Sequence, residues 1–137
     1  MVRSLLLLPV AALLGAASHA ADAAGAASAV RAYYASIAAG RYAAAWRLRW
    51  ESDRAGAAGA EAFARGFSAY RSYHATIGPP SRPQAAASSF YVEVPVQIVG
   101  RLKNGKPFAT AGTVTVRRAQ GSSGATAAQR KWRIYGR

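Results

Sequence analysis

Residues 89–117, SFYVEVPVQIVGRLKNGKPFATAGTVTVR, decide the fold of this chain. Apolar side chains occupy every second position of the first part, and this period of two predicts a half-buried strand over Ser89–Val99. A second alternating run follows over Phe108–Arg117. Between the two runs stands Asn104-Gly105, a dipeptide typical of tight hairpin turns. The stretch therefore predicts an antiparallel β-hairpin.

The residues before this hairpin predict three helices. Apolar residues recur at helical spacing in the first helix, which we expect to end near Gly40. The second and third helices are predicted over 41–50 and 61–73. A last strand is predicted over 131–135, and a short additional strand over 74–77. Three N-terminal helices packed on a curved antiparallel sheet of three or four strands make an α+β domain.

The first twenty residues predict a cleaved export signal. Arg3 precedes an apolar run over 5–14, and the segment ends in the small residues around Ser18-His19-Ala20. The run is shorter than the roughly 20 residues that a membrane-spanning helix needs, and its end fits the small-residue cleavage pattern. We expect cleavage near Ala20, a periplasmic or secreted location, no stable membrane anchor, and a single domain over 21–137.

Composition excludes some kinds of chemistry. The chain has no cysteine, which excludes disulfides, thiolate metal sites and a cysteine nucleophile. It has two histidines, and one of them lies in the predicted signal, so we expect neither a metal site nor a cofactor. The formal net charge of +13 attracts polyanions, although export makes nucleic acid an unexpected partner. The candidate polyanion patch consists of Arg101, Lys103, Lys106, Arg117 and Arg133.

Large aromatic side chains are concentrated in the predicted helices. Their helical spacing predicts core packing in the first place. A second interpretation is that some of them line a cavity for a small apolar or aromatic ligand, which tyrosine hydroxyls would orient. The candidate ligand-binding residues are Tyr34, Trp46, Phe63, Phe67 and Tyr70.

Two residues, Glu93 and His74, are candidates for a catalytic role. Glu93 is an acid within a predicted strand, on the face opposite the apolar side chains, where a pair with Arg117 or Arg133 is expected. Pro95 indicates a bulge or a sheet edge nearby, and a bulge would change which side chains face the helices. His74 is expected at the end of the third helix, where a lone histidine is more often a polar surface residue than a base.

The order of these elements resembles the nuclear-transport-factor-2-like superfamily, whose members fold as a helix-lined cone over a curved sheet. Residues 30–46 are similar to the opening helix, glycine turn and second helix of that family, and residues 63–67 resemble its third helix. Residues 91–96 and 132–134 resemble a central strand and the last strand. The resemblance extends over 23–135.

The resemblance implies several possible activities, because such domains include isomerases, dehydratases, epoxide hydrolases, ligand binders and dimerisation modules. No motif in this chain matches the catalytic set of a family enzyme. We therefore expect an exported, non-enzymatic domain that binds a small ligand or a protein partner. A homodimer formed through the sheet is one form that such a partnership can take. The alternatives are an isomerase-like or dehydratase-like enzyme that uses Glu93 or His74 within the cone, and a polyanion-binding module of the cell envelope.

Overall fold

The computed structural model describes residues 10–50, 57–121 and 124–136, and it shows an α+β fold of three helices followed by five strands. This confirms the predicted fold class, with one strand more than expected. The elements are α1 (Val10–Ala38), α2 (Tyr42–Arg47), α3 (Ala57–Arg65), β1 (Tyr70–Ile77), β2 (Gln84–Ala86), β3 (Ser89–Leu102), β4 (Pro107–Ala119) and β5 (Arg133–Gly136).

The strands form one antiparallel sheet in the order β1-β3-β4-β5, and the short β2 pairs with the beginning of β3. The β3–β4 hairpin pairs without interruption from Ser89 opposite Ala119 to Arg101 opposite Pro107. In its turn, Gly105 has a φ of 86°, and the Lys106 N–H donates to Asn104 Oδ1 at 3.0 Å. A positive φ is favourable for glycine, so the sequence places the turn correctly.

The core lies between α1 and the inner face of the sheet. The side chains at Val92, Val94, Val96 and Ile98 of β3 are buried, as the alternating pattern predicts. Helix α1 lies against this face and contacts β1, β3, β4 and β5. Each fully buried valine or isoleucine contributes about 1.5–3 kcal/mol, so this layer is the main source of stability.

The third helix ends earlier than predicted. It stops at Arg65, and a turn that begins at Gly66 leads into β1, so Tyr70, Tyr73 and His74 lie on a strand. The spacing of the aromatic residues fits a continued helix equally well. The pairing of β1 with β3 decides between helix and strand, because it supplies hydrogen-bond partners to the backbone of this segment. The segment is also rich in tyrosine and β-branched residues, which favour strands.

Helix α1 is continuous through the predicted cleavage site. The first nine residues of the predicted signal lie outside the described part of the chain. Of the residues in α1 whose burial is described, His19, Ala20 and Ala21 are exposed, and the first buried residue is Ala26. No helix within the described ranges is both long enough and apolar enough to cross a membrane.

An ion pair joins α1 to β4. Arg118 Nη2 donates to Asp22 Oδ1 at 2.9 Å, and the two side chains are 21% and 24% exposed. The Arg118 guanidinium also lies 4.6 Å from the ring centroid of Phe90 and 5.2 Å from that of Trp132. The first turns of α1 after the predicted cleavage site are therefore tied to the sheet by charge and by packing.

Replacing Arg118 with glutamine is expected to lower the free energy of unfolding by about 1–2 kcal/mol, because a charge-assisted hydrogen bond is lost and Asp22 is left partly buried. Urea unfolding followed by tryptophan fluorescence measures this change. The matched control is Arg65→Gln, whose pair with Glu61 is 3.8 Å long and 71–76% exposed. The control is expected to cost less than about 0.5 kcal/mol. Equal losses in the two variants would contradict the prediction.

Candidate functional site

A cavity of about 450 Å³ opens between the three helices and β1. Its wall is mostly aromatic and includes two glycines. Trp46 packs directly on one of them, since a Cβ added at Gly59 would lie 3.0 Å from Trp46 Cζ2. The lining residues are Tyr33, Trp46, Arg49, Gly59, Ala62, Phe63, Gly66, Phe67, Tyr70 and Tyr73. We call this space the aromatic cavity.

Ring-to-ring contacts hold the wall of the aromatic cavity in place. Phe63 of α3 and Phe67, in the turn that follows this helix, meet edge-to-face with their ring centroids 5.1 Å apart. Trp46 packs on Phe63 at 5.3 Å, and Phe67 meets Tyr73 of β1 edge-to-face at 5.4 Å. Such pairs contribute about 0.5–1.5 kcal/mol beyond the area they bury. The wall is therefore a fixed surface that joins helix α2, the α3 region and the sheet.

One polar pair stands in this wall. Arg49 Nη1 donates to the Tyr33 hydroxyl at 3.2 Å, and the guanidinium lies 6.0 Å from the ring centroid of Phe63. Arg49 follows α2 and forms an isolated parallel bridge with Ile134 of β5. That bridge fixes the backbone from which the side chain reaches the cavity. The pair places a guanidinium and a hydroxyl group at one end of a mostly aromatic wall.

Four of the five candidate ligand-binding residues line the aromatic cavity: Trp46, Phe63, Phe67 and Tyr70. The fifth, Tyr34, lies behind the wall, with its side chain buried and stacked on Tyr73 at 6.3 Å. Sequence reasoning missed Tyr33, Tyr73 and Arg49. The sequence could have identified Tyr33 as a candidate. Successive residues of a helix point in different directions, so Tyr33 and Tyr34 cannot both face the same side.

Glu93 lies away from the aromatic cavity. It is exposed on the outer face of the sheet opposite Thr115, and its backbone N–H donates to Ser81 Oγ. The expected pair with Arg117 or Arg133 is not present among the described ion pairs. The bulge expected at Pro95 is absent, because β3 and β4 pair continuously through this residue. On the other side of β3, Pro95 lies between the segments that pair with β2 and with β1. No strand there requires the N–H that proline lacks.

His74 lies in the middle of β1, exposed and opposite Val99. It borders a separate groove of about 560 Å³ between α1 and β1, which Arg31 and Tyr34 also line. It is not among the residues that line the aromatic cavity. Within residues 10–50, 57–121 and 124–136, no three histidine or acidic side chains come together as a metal site would require.

The five residues of the candidate polyanion patch fall into two groups. Arg101, Lys103 and Lys106 lie at the hairpin end of the sheet, where Arg101 Nη1 donates to Gly105 O at 2.9 Å. Arg117 and Arg133 lie opposite each other near the other end of β4. At about 3.3 Å per residue, the ten steps along the strand from Pro107 to Arg117 span about 33 Å. The structure therefore does not bring the five residues together into one patch.

Comparisons with known proteins identify the fold. No protein-family model and no curated protein matches the sequence. Among solved structures, the chain is similar to a "Nuclear transport factor 2 (NTF2-like) superfamily protein from Salmonella enterica subsp. enterica serovar Typhimurium str. LT2". The TM-score is 0.58 at 16% sequence identity, over 79% of this chain and 82% of that chain. The chain therefore has the NTF2-like fold, which confirms the resemblance found in the sequence.

Proposed function

We propose that this chain is an exported, non-enzymatic domain that binds a small ligand in the aromatic cavity. The observation that carries the proposal is the cavity itself, with about 450 Å³ of space beside six aromatic side chains. Known small-molecule sites measure about 300–1,000 Å³ and combine an apolar wall with a few polar groups. The NTF2-like fold supports a pocket of this kind, while fold alone does not choose the ligand.

The wall indicates the chemistry of the ligand. Trp46, Phe63 and Phe67 present ring surfaces that suit an aromatic ring or a short apolar chain. The positive charge of Arg49, beside the hydroxyl of Tyr33, favours an electronegative oxygen at one end of that ligand. We therefore propose a ligand with an apolar or aromatic body and one polar end.

The lining residues favour binding over catalysis. The ionic side chain among them is that of Arg49, which stays protonated in proteins and cannot act as a general base. Glu93 and His74, the residues that an isomerase or dehydratase mechanism would use, lie outside the lining. A substrate screen that finds turnover dependent on either residue would support the enzymatic alternative.

Filling the cavity is expected to weaken ligand binding. Ala62→Phe places a ring among the lining residues, and we expect it to weaken binding of the fluorescent aromatic anion 8-anilinonaphthalene-1-sulfonate at least tenfold, which is about 1.4 kcal/mol. A fluorescence titration of the full chain measures the dissociation constant. At about a hundred times this constant, the same probe should stabilise the fold by roughly 2.7 kcal/mol in a thermal melt.

The matched control is Ala58→Phe, which adds the same ring to an exposed position of α3 outside the cavity lining. We expect the control to bind the probe as the unaltered chain does. Equal weakening in both variants, or no binding to the unaltered chain, would contradict a binding role for the cavity.

Export is tested separately by the mass of the mature protein. When the full chain is produced in a bacterium, we expect the periplasmic protein to begin at Ala21. Two observations support this site: residues 19–21 are exposed in α1, and Asp22, which pairs with Arg118, is retained after cleavage. Intact-mass measurement gives the terminus, and Ala20→Leu, which removes the small residue at the site, is expected to prevent this cleavage. An uncleaved chain in the membrane fraction would refute the proposal.

A further inference from the structure

Three aromatic rings surround Arg117 on the outer face of the sheet. Its Cζ atom lies 4.2 Å from the ring centroid of Trp50, 5.2 Å from that of Tyr135 and 5.6 Å from that of Tyr91. Its Nε donates to Ser89 Oγ at 2.9 Å. The guanidinium is therefore fixed in position, and in the described part of the chain its two Nη groups donate to no protein acceptor.

A second arginine stands directly across from the first. Arg117 of β4 pairs with Arg133 of β5, and side chains that are opposite in an antiparallel pair project from the same face. Arg133 Nη1 donates to the backbone oxygen of Arg47 at 3.2 Å. Like charges placed opposite each other destabilise a sheet. The two opposed arginines thus lower the stability of the sheet, and the packing of their side chains does not explain why both are present.

Among the described residues, no acid forms an ion pair with Arg117 or Arg133. Asp22 pairs with Arg118 and Glu61 with Arg65. Glu93 lies on the same face, opposite Thr115, which is two residues before Arg117 on β4. Glu93 makes no described ion pair. Within residues 10–50, 57–121 and 124–136, the site therefore presents immobilised positive charge that an external anion can neutralise.

We propose that Arg117 and Arg133 form a binding site for a tetrahedral oxyanion, a phosphate or sulfate group, on the outer face of the sheet. Guanidinium forks match the spacing of oxygens on such groups and bind them in a bidentate manner. The site is separate from the aromatic cavity, because neither arginine lines that cavity. Its ligand and that of the cavity are therefore expected to bind independently.

Titration of the full chain with inorganic phosphate or with sodium sulfate, at constant ionic strength and pH 7.5, tests the proposal. The readout is the arginine Nε–H signals in nitrogen-15 NMR spectra, among which Arg117 is expected to shift in a saturable manner. We expect a dissociation constant of about 1 mM for the better anion. Tighter binding of phosphate assigns the site to phosphate esters, and tighter binding of sulfate assigns it to sulfate esters.

Three variants make the test specific. Arg133→Gln and Arg117→Lys are each expected to raise the dissociation constant of the tighter-binding anion about tenfold. Arg117→Lys has this effect because a lysine lacks the planar fork of a guanidinium. Arg82→Gln removes the same charge at an exposed position elsewhere and is expected to stay within about twofold of the unaltered chain. Arg133 is not among the cations stacked on aromatic rings, so its variant answers the question even if Arg117→Lys unfolds.

Two results would overturn the proposal. One is a titration of the unaltered chain that shows no saturable shift of Arg117 with either anion. The other is an equal loss of affinity in Arg82→Gln and Arg133→Gln, which would mean that binding reflects overall charge. Both are independent of the aromatic cavity, so failure here leaves the proposed function intact.

Discussion

Replacing Gly100 with alanine is expected to lower the free energy of unfolding by about 3 kcal/mol or more. Gly100 pairs with Tyr73 of β1, next to an irregularity in the register between Tyr70 and Ser72. A Cβ at Gly100 would overlap the backbone oxygen of Ser72 and would lie 2.7 Å from Phe108 Cε1. Because the obstacle is partly backbone, the strands would have to separate, and a change of rotamer would not relieve the overlap.

The control for this substitution is Gly112→Ala. Gly112 lies in β4 of the same sheet, and a Cβ added there would meet nothing within 4 Å. We expect this variant to be as stable as the unaltered chain within about 0.5 kcal/mol. Urea unfolding monitored by circular dichroism compares the two. Similar stability of Gly100→Ala and Gly112→Ala would show that the β1–β3 approach is looser than described.

Replacing Ile134 with alanine is expected to cost about 3 kcal/mol. The side chain is 1% exposed and lies opposite Val116 of β4. Its N–H donates to Leu48 O at 2.8 Å, and its carbonyl accepts the Trp50 N–H at 2.7 Å. Ile134 thus packs the four-residue strand β5 into the core. Its backbone also holds the segment from which Arg49 reaches the aromatic cavity.

Thermal and urea unfolding of Ile134→Ala measure the loss, and Val99→Ala is the matched control. Val99 is 51% exposed, so its truncation is expected to change stability by less than about 0.5 kcal/mol. We also expect Ile134→Ala to weaken binding of the fluorescent probe to the aromatic cavity, because this strand holds the backbone of Arg49. Full stability in Ile134→Ala would contradict the contribution of this side chain to the core.

The parts of the fold that were predictable from sequence are those that depend on local patterning. The alternation over β3 and β4 and the Asn104-Gly105 turn specify the hairpin, because period and turn chemistry are both local. Residues 70–77 were partly assigned to a helix, because aromatic spacing fits a helix as well as a strand. Only their pairing with the distant β3 distinguishes the two.

The site followed the same division. Trp46 and Phe63 lie on helices and were predictable as one aromatic surface, because helical spacing defines their faces. Phe67 reaches the same surface from the turn after α3. Arg49 was not, because its position depends on a bridge to Ile134, far along the chain. The basic residues were visible in the sequence, but their separation along the hairpin follows from strand length and register.

The contact between α1 and β5 has a consequence for the time at which the chain can fold. The first element of the chain packs against its last strand, so the core cannot close until the C-terminal residues are available. Pairing that joins the two ends of a chain is slow, because a long loop must be ordered before the contact forms. An unpaired β5 therefore leaves the part of α1 that it covers exposed, and we expect the closing of this contact to be a late step of folding.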